Sequence, residues 1–383
     1  MPSKVLHTTS ITNEPASNWQ LRVINTLITS VLLLLFLIAL DLIAYSCNAL
    51  SQDFSRYVTP VVAHPLVGFA IGMLATAIIQ SSSTLTASLV AMVASGVMQL
   101  ESAVPMVIGA NIGTTVTSLL VSFAQLGTPK AFRRGFITAN SHVLFNVLSA
   151  ILFFPLELYF QVLSNTSRFL ARHLVNSGNL REGWFLFYDA LIIPLGNWIR
   201  LPFEQQPVVL LLLSAGLLFA CIYGLTLLFR KILLGASSRK QVGRLLNQPL
   251  LSFLSGTGLT AAIHSSSVVT SVGVMLASTE KIAPRKLFPF VMGANVGTTV
   301  TALMAAIGKS EAALAIALCH FLFNVLGVSL FFPIPFFRNL INGLSRTSGN
   351  MAQRNLAFAF AYLLVLFFAF PFLVIFLFEK FGV

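Results

Sequence analysis

Apolar residues run along this chain in long blocks that are hydrophobic on every face, and the informative positions are those where polar residues interrupt them. Blocks at about 23–45, 103–124, 135–157, 207–229, 287–307, 312–333 and 355–378 are each long enough for a helix to cross a hydrocarbon core of about 30 Å. Two further stretches behave differently. From Pro65 to Gln99 the chain stays largely apolar for 35 residues, which as one helix would run about 53 Å. A single crossing does not fit. Two arms of about 15 residues, broken at Gln80 to Thr84, fit a segment that enters the membrane and returns to the same side. Pro249 to Thr279 repeats the pattern, with its break at His264 to Ser267. Such re-entrant hairpins are tolerated only where the tip is enclosed by protein or lines a wet cavity.

The interruptions are two copies of one motif. Gln80-Ser81-Ser82-Ser83 and His264-Ser265-Ser266-Ser267 lie 184 residues apart. At the same offset, Gly109-Ala110-Asn111-Ile112-Gly113-Thr114-Thr115-Val116-Thr117 is matched by Gly293-Ala294-Asn295-Val296-Gly297-Thr298-Thr299-Val300-Thr301. A weaker pair follows at an offset of 178, His142 and Asn146 against His320 and Asn324, each four residues apart and so on one helix face. These pairs could serve the site or simply hydrogen-bond one helix to another. The expected architecture is an all-α integral membrane protein with two inverted-topology repeats, each carrying a re-entrant hairpin and a Gly-interrupted span. Its segments are an N-terminal piece (1–21), repeat 1 (22–172, hairpin about 65–99), an external connector (173–206), repeat 2 (207–350, hairpin about 249–279) and an additional C-terminal span (351–383). Within the connector, Trp184 to Ile199 reads as an interfacial helix or a half-span.

Composition agrees: 56% of residues are hydrophobic and 9% charged, with a mean hydropathy of +0.88, too little polar surface for a soluble globule of this size. All-round apolar helices exclude the alternating pattern of an outer-membrane barrel. The net charge of +12 comes from Lys and Arg between the spans, where they orient the chain in a bilayer, so no nucleic-acid partner is expected. With the N-terminus cytoplasmic, sixteen of the 23 Lys and Arg fall inside, and this orientation in a cell (inner) membrane is adopted. Each repeat then crosses three times plus a hairpin, which inverts the second repeat and brings the tips together near mid-membrane. Asp41, near the far end of the first span, reads as a lone interfacial carboxylate. Cys47, Cys221 and Cys319 show neither a disulfide framework nor metal-ligand spacing.

Around the tips the sequence offers hydroxyls, amides and one imidazole, with no Lys or Arg in either tetrad or either Gly-Ala-Asn string. Hydroxyls and the first-turn N–H groups of broken helices suit a small oxyanion, for which the candidate contacts are Ser81, Ser82, Ser83, Ser265, Ser266, Ser267, Asn111 and Asn295. An anion buried among neutral donors is poorly compensated, so a cation must enter with it. Hydroxyl, amide and backbone oxygens are hard ligands appropriate to sodium, and the candidate set is Gln80, Thr114, Thr115, Thr117, His264, Ser265, Ser267, Thr298, Thr299 and Thr301. The bland alternative is that the small polar residues only let helices pack closely.

At these residues the sequence resembles the type II sodium-dependent phosphate cotransporters, in a bacterial form. The resemblance rests on the Gln-Ser-Ser-Ser and Gly-Ala-Asn-x-Gly-Thr-Thr strings and, in support, on His142, Phe145 and Asn146. It implies inward transport of inorganic phosphate with sodium by alternating access, with phosphate at Ser81 to Ser83 and Ser265 to Ser267. The sodium ligands it implies lie around Ser265, Ser267, Thr298 and Thr301, with Gln80 contributing. Three departures stand out. His264 replaces the Gln of the second tetrad, no acidic residue lies near Ala94 to Gly96, and the large disulfide-bearing external loop of animal members is missing. No cofactor is expected beyond sodium as the co-transported ion. Transport of sulfate or a carboxylate, and a channel built on paired re-entrant loops, are the competing functions. An enzyme is not expected, since no carboxylate neighbours the serines and histidines to orient a base. The hairpins could move together against a scaffold or the halves could rock, and a homodimer is one assembly the sequence admits.

Overall fold

The computed structural model describes residues 18–50, 59–176, 188–233, 246, 248–279 and 282–381, and no strand occurs among them. Helix α1 (Asn18–Ala49) leads into the first hairpin, α2 (Pro65–Ile79) and α3 (Ser82–Ala94). Then follow α4 (Leu100–Gly113), α5 (Val116–Phe123), α6 (Pro129–Phe160) and α7 (Val162–Asn176). After a π turn at Tyr188–Ile192 come α8 (Ile193–Arg200), α9 (Pro207–Leu233) and the second hairpin, α10 (Pro249–Ile263) and α11 (Ser266–Ser278). The chain ends with α12 (Pro284–Ala305), α13 (Glu311–Phe331), α14 (Pro335–Arg354) and α15 (Leu356–Phe381). Among the described residues, seven helical segments are long and apolar enough to cross a membrane, and they fall where the hydrophobic blocks place them.

Both hairpins break where length arithmetic requires. α2, α6, α10 and α12 each open on a proline at the first helical position, where the missing N–H costs nothing. α2 and α10 each end in a left-handed residue, Gln80 (φ 57°, ψ 24°) and His264 (φ 58°, ψ 24°). Left-handed backbone is uncommon for residues with a Cβ, and its recurrence at both tips marks an imposed turn.

Glycines explain how the hairpins seat. A Cβ on Gly109 would overlap the carbonyl of Phe69, and one on Gly113 the carbonyl of Met73. The second half repeats this at Gly293 against Phe253 and at Gly297 against Thr257. The four-residue glycine spacing therefore lets α2 lie backbone to backbone on α4, and α10 on α12. The expected interruption of this span is found only in the first half, at Thr114–Thr115 between α4 and α5. α12 runs unbroken through its Gly-Ala-Asn string, because its glycines serve packing and leave the helical hydrogen bonds intact.

The two hairpins open at opposite ends of α6. Near its start, Arg134 donates through Nε to Ala277 O (2.8 Å) and through Nη2 to Ile282 O (2.7 Å), at the end of α11. Beyond its other end, Arg168 pairs with Glu101, just after the first hairpin. The residues between Arg134 and Glu157 span about 35 Å of helix, the thickness of a bilayer core.

Asp41 is not a lone carboxylate. Its Oδ1 lies 3.7 Å from Lys309 Nζ, in the turn between α12 and α13, and a Cβ on Gly196 of α8 would crowd it. Burial pulls the Lys309 ammonium below the usual lysine range, and Asp41 works against that shift. Residues 184–187 lie outside the described residues; α8 itself has eight residues, about 12 Å, and is too short to span. Glu157 is buried in the last turn of α6 and caps the following helix, accepting from Leu163 N (2.7 Å), Ser164 N (3.3 Å) and the Ser164 hydroxyl at the start of α7.

Candidate functional site

The break in each hairpin turns a helix N-terminus toward the other half. Ser81 and Ser265 are the N-caps of α3 and α11, accepting from Thr84 N (3.2 Å) and Val268 N (3.4 Å). This leaves the first-turn amides at Ser82, Ser83, Ser266 and Ser267 as the donors that a helix start presents to an anion.

Hydroxyls interlock across the gap. Ser83 Oγ donates to His264 O (2.9 Å) and lies 3.2 Å from Thr298 Oγ1, so the first tip reaches the second tip and its glycine-bearing helix. Ser267 Oγ lies 3.3 Å from Thr114 Oγ1, which also accepts from Ser82 Oγ at 3.3 Å. Ser83 and Ser267 are equivalent residues, as are Thr298 and Thr114, so each half supplies what the other half lacks. A two-fold relation of this kind is that of an isologous interface, here inside one chain.

Apart from the N-caps Ser81 and Ser265, the candidate residues divide into three groups. Ser82, Ser83, Thr114, Ser267, Thr298 and the His264 carbonyl meet in one cluster, flanked by His264 Nδ1, which lies 3.2 Å from Thr301 Oγ1. Ser266 is buried and Thr117 half-buried, and neither hydroxyl has a hydrogen-bond partner among the described residues, while Gln80 is exposed. The third group is committed elsewhere. Thr115 and Thr299 donate to Ile112 O and Val296 O of their own helices, each at 2.7 Å. Asn111 and Asn295, counted above as anion contacts, are both buried; Asn111 Nδ2 donates to Val107 O of its own helix (2.8 Å), while its oxygen and both ends of the Asn295 carboxamide are engaged by helices of the opposite half.

Those engagements form a reciprocal clasp. His142 Nε2 lies 2.7 Å from Asn295 Oδ1, and Asn295 Nδ2 donates to Asn146 Oδ1 at 2.9 Å. In return, His320 Nε2 lies 3.3 Å from Asn111 Oδ1, which accepts from Asn324 Nδ2 at 3.0 Å. A carboxamide oxygen only accepts, so both imidazoles meet it with Nε2–H. The duplicated His and Asn thus hold the strings that carry Thr114 and Thr298, and their partners lie in the other repeat. Beside them, Ser118 Oγ donates to Thr270 Oγ1 (2.9 Å) and lies 3.3 Å from His142 Nδ1. That link joins α5 to the second hairpin and had no signal in the sequence, because Ser118 is matched by Ala302 in the second half.

An interlocked pair of half-chains, each offering a broken-helix tip to a shared hydroxyl cluster inside a bundle of membrane-length helices, is the architecture of a polytopic membrane protein with an intramembrane polar site. Within that class the chain belongs to the Na+/Pi-cotransporter family, whose model matches residues 35–161 and 217–373, one segment in each half. The chain is similar to the sodium-dependent phosphate transport protein 2B of Homo sapiens, with 27% identity covering 84% of this chain and 59% of that protein. It is also similar to protein 2A of Oryctolagus cuniculus, with 29% identity covering 94% of this chain and 70% of the relative, and to protein 2A of Mus musculus, with 29% identity covering 82% and 61%. The chain therefore spans about three-fifths of the length of the first of these curated relatives. No solved structure matches it.

Proposed function

We propose that this protein is a secondary transporter that carries inorganic phosphate inward with sodium, its N-terminus cytoplasmic and its two halves inverted in the membrane. The observation that carries the reading is the meeting of the tips: Ser83 on Thr298 and His264 O, Ser267 on Thr114, with helix N-termini behind them. Hydroxyls and amides of this kind can hand their mutual hydrogen bonds to a phosphate without leaving any of them unpaired. No Lys or Arg stands in either tetrad or string to neutralise the anion. Sodium held by the same oxygens supplies the missing charge, so the burial of each ion favours that of the other. Gln80, Ser265 and Thr301 extend the cation's ligand set, and His264 stands where the first half has Gln80. Membership of the Na+/Pi-cotransporter family supports the choice of both ions.

The test is uptake of labelled phosphate into proteoliposomes containing only this protein. Saturable uptake is expected with an inward sodium gradient, near background with potassium, and little reduced by excess sulfate. Equal uptake with and without sodium would refute the coupling. Rapid, non-saturating flux would make the protein a channel.

A further inference from the structure

The geometry points to a second anion site, far from the hydroxyl cluster, that takes a phosphate-bearing ligand larger than orthophosphate. A cavity of about 650 Å³ opens where the starts of α6 and α12 meet α14, lined by Arg133, Arg134, Arg285, Arg346, Asn339 and Asn342. Among the described residues, no acidic side chain lines it. Four guanidinium groups around one hollow repel one another unless an anion lies among them, and guanidinium forks match phosphate oxygens.

Two of the arginines are pre-positioned. Arg133 Nε donates to Asn350 Oδ1 at 2.6 Å, its two terminal nitrogens having no partner among the described residues, and Arg134 is fixed by the Ala277 and Ile282 carbonyls. Arg285 and Arg346 have no hydrogen-bond or ion-pair partner among the described residues. Arg285 sits in the first turn of α12, whose N-cap Ala283 provides no side-chain acceptor, so the positive helix end adds to the field. The volume equals that of about twenty waters, far more than orthophosphate fills.

One of two sources is favoured by α14. That helix buries Ile341, Ser345, Gly349 and Ala352 while leaving Phe336, Leu340, Leu344 and Met351 exposed beside its arginines. An amphipathic helix of this kind lies at headgroup depth, which brings an anionic phospholipid headgroup to the cavity mouth. A soluble polyphosphate shares the chemistry. The site is independent of the transport reading, and uptake can fail while this binding succeeds.

The test uses the full chain and the double variant Arg285→Gln/Arg346→Gln, chosen because neither arginine has a hydrogen-bond or ion-pair partner among the described residues. Phosphatidylglycerol in phosphatidylcholine nanodiscs is expected to raise the thermal midpoint of the wild type and to co-purify with it, and the variant should lose at least tenfold in apparent affinity. In detergent without lipid, tripolyphosphate is the second probe. Arg285-dependent binding of tripolyphosphate with no response to phosphatidylglycerol assigns the site to a soluble ligand. A double Lys variant, Arg285→Lys/Arg346→Lys, should retain part of the binding, which separates loss of charge from loss of fold. Failure of both probes to bind the wild type, or equal binding by the Gln variant, overturns the proposal.

Discussion

Replacing Asn295 by Ala tests whether the reciprocal clasp holds the two halves together. The substitution removes the acceptor of the His142 Nε2 contact (2.7 Å) and the donor to Asn146 Oδ1 (2.9 Å), and all three side chains are buried. Interhelical hydrogen bonds within membrane proteins average about 0.6 kcal/mol, so two give a floor of about 1.2 kcal/mol, roughly sevenfold in the folding equilibrium. The two partners left unpaired raise this by about 1–3 kcal/mol each if water does not reach them. A loss of about 3 kcal/mol is expected from denaturant titration of the purified protein in mild detergent. A double-mutant cycle isolates one bond: Asn295→Ala with His142→Ala should couple by about 0.6–1.7 kcal/mol. Asn295→Ala with His320→Ala, whose partner is Asn111 in the other clasp, should be additive within about 0.5 kcal/mol. Additivity in the first cycle, or equal coupling in both, would show that the clasp carries no pairwise energy.

Three further outcomes follow from neighbouring features. Asp41→Asn removes the carboxylate 3.7 Å from the Lys309 ammonium, whose side chain is 6% exposed, and should cost about 2–4 kcal/mol in the same titration, with Asp41→Asn/Lys309→Met closer to wild type than Asp41→Asn alone. Gly293→Val drives a side chain into the Phe253 carbonyl and should abolish recovery of folded, monodisperse protein, whereas Gly258→Ala, where a Cβ inside the helix meets open space, should leave stability unchanged or raise it by up to about 1 kcal/mol and give normal yield. Ser83→Ala removes the donor to His264 O and the contact with Thr298; uptake in proteoliposomes should fall at least tenfold while the thermal midpoint moves little, and a collapse of the midpoint would make Ser83 a packing residue instead.

Much of this fold was legible because hydrophobic length is a hard constraint. Thirty-five largely apolar residues do not fit one straight crossing, and their longest polar run, Gln80 to Thr84, is where the turn was expected. The site was legible only in part, because a repeat reveals which residues are equivalent and not which ones touch. Asn111 and Asn295 stand out by duplication and carry amide donors, so they read as ligands, yet their partners are His320, Asn324, His142 and Asn146. Each of those partners lies about 150 to 210 positions away, in the opposite half. The glycine spacing was equally visible, but its purpose emerged only when the Phe69 and Phe253 carbonyls were found where a Cβ would sit. Glu157 gave no signal, since a carboxylate capping a different helix follows no local pattern.

The clasp also bears on how such a chain came to exist. A half ending with α7 would carry His142 and Asn146 with no carboxamide to receive them, and Asn111 with no imidazole. Two copies of one half, turned against each other, would bring the Asn carboxamide oxygen of each to the His imidazole of the other, as Asn295 meets His142 and Asn111 meets His320. The exchange therefore has the form of a homodimer whose subunits were later joined by gene fusion, and halves expressed as separate polypeptides should assemble as an obligate one-to-one pair.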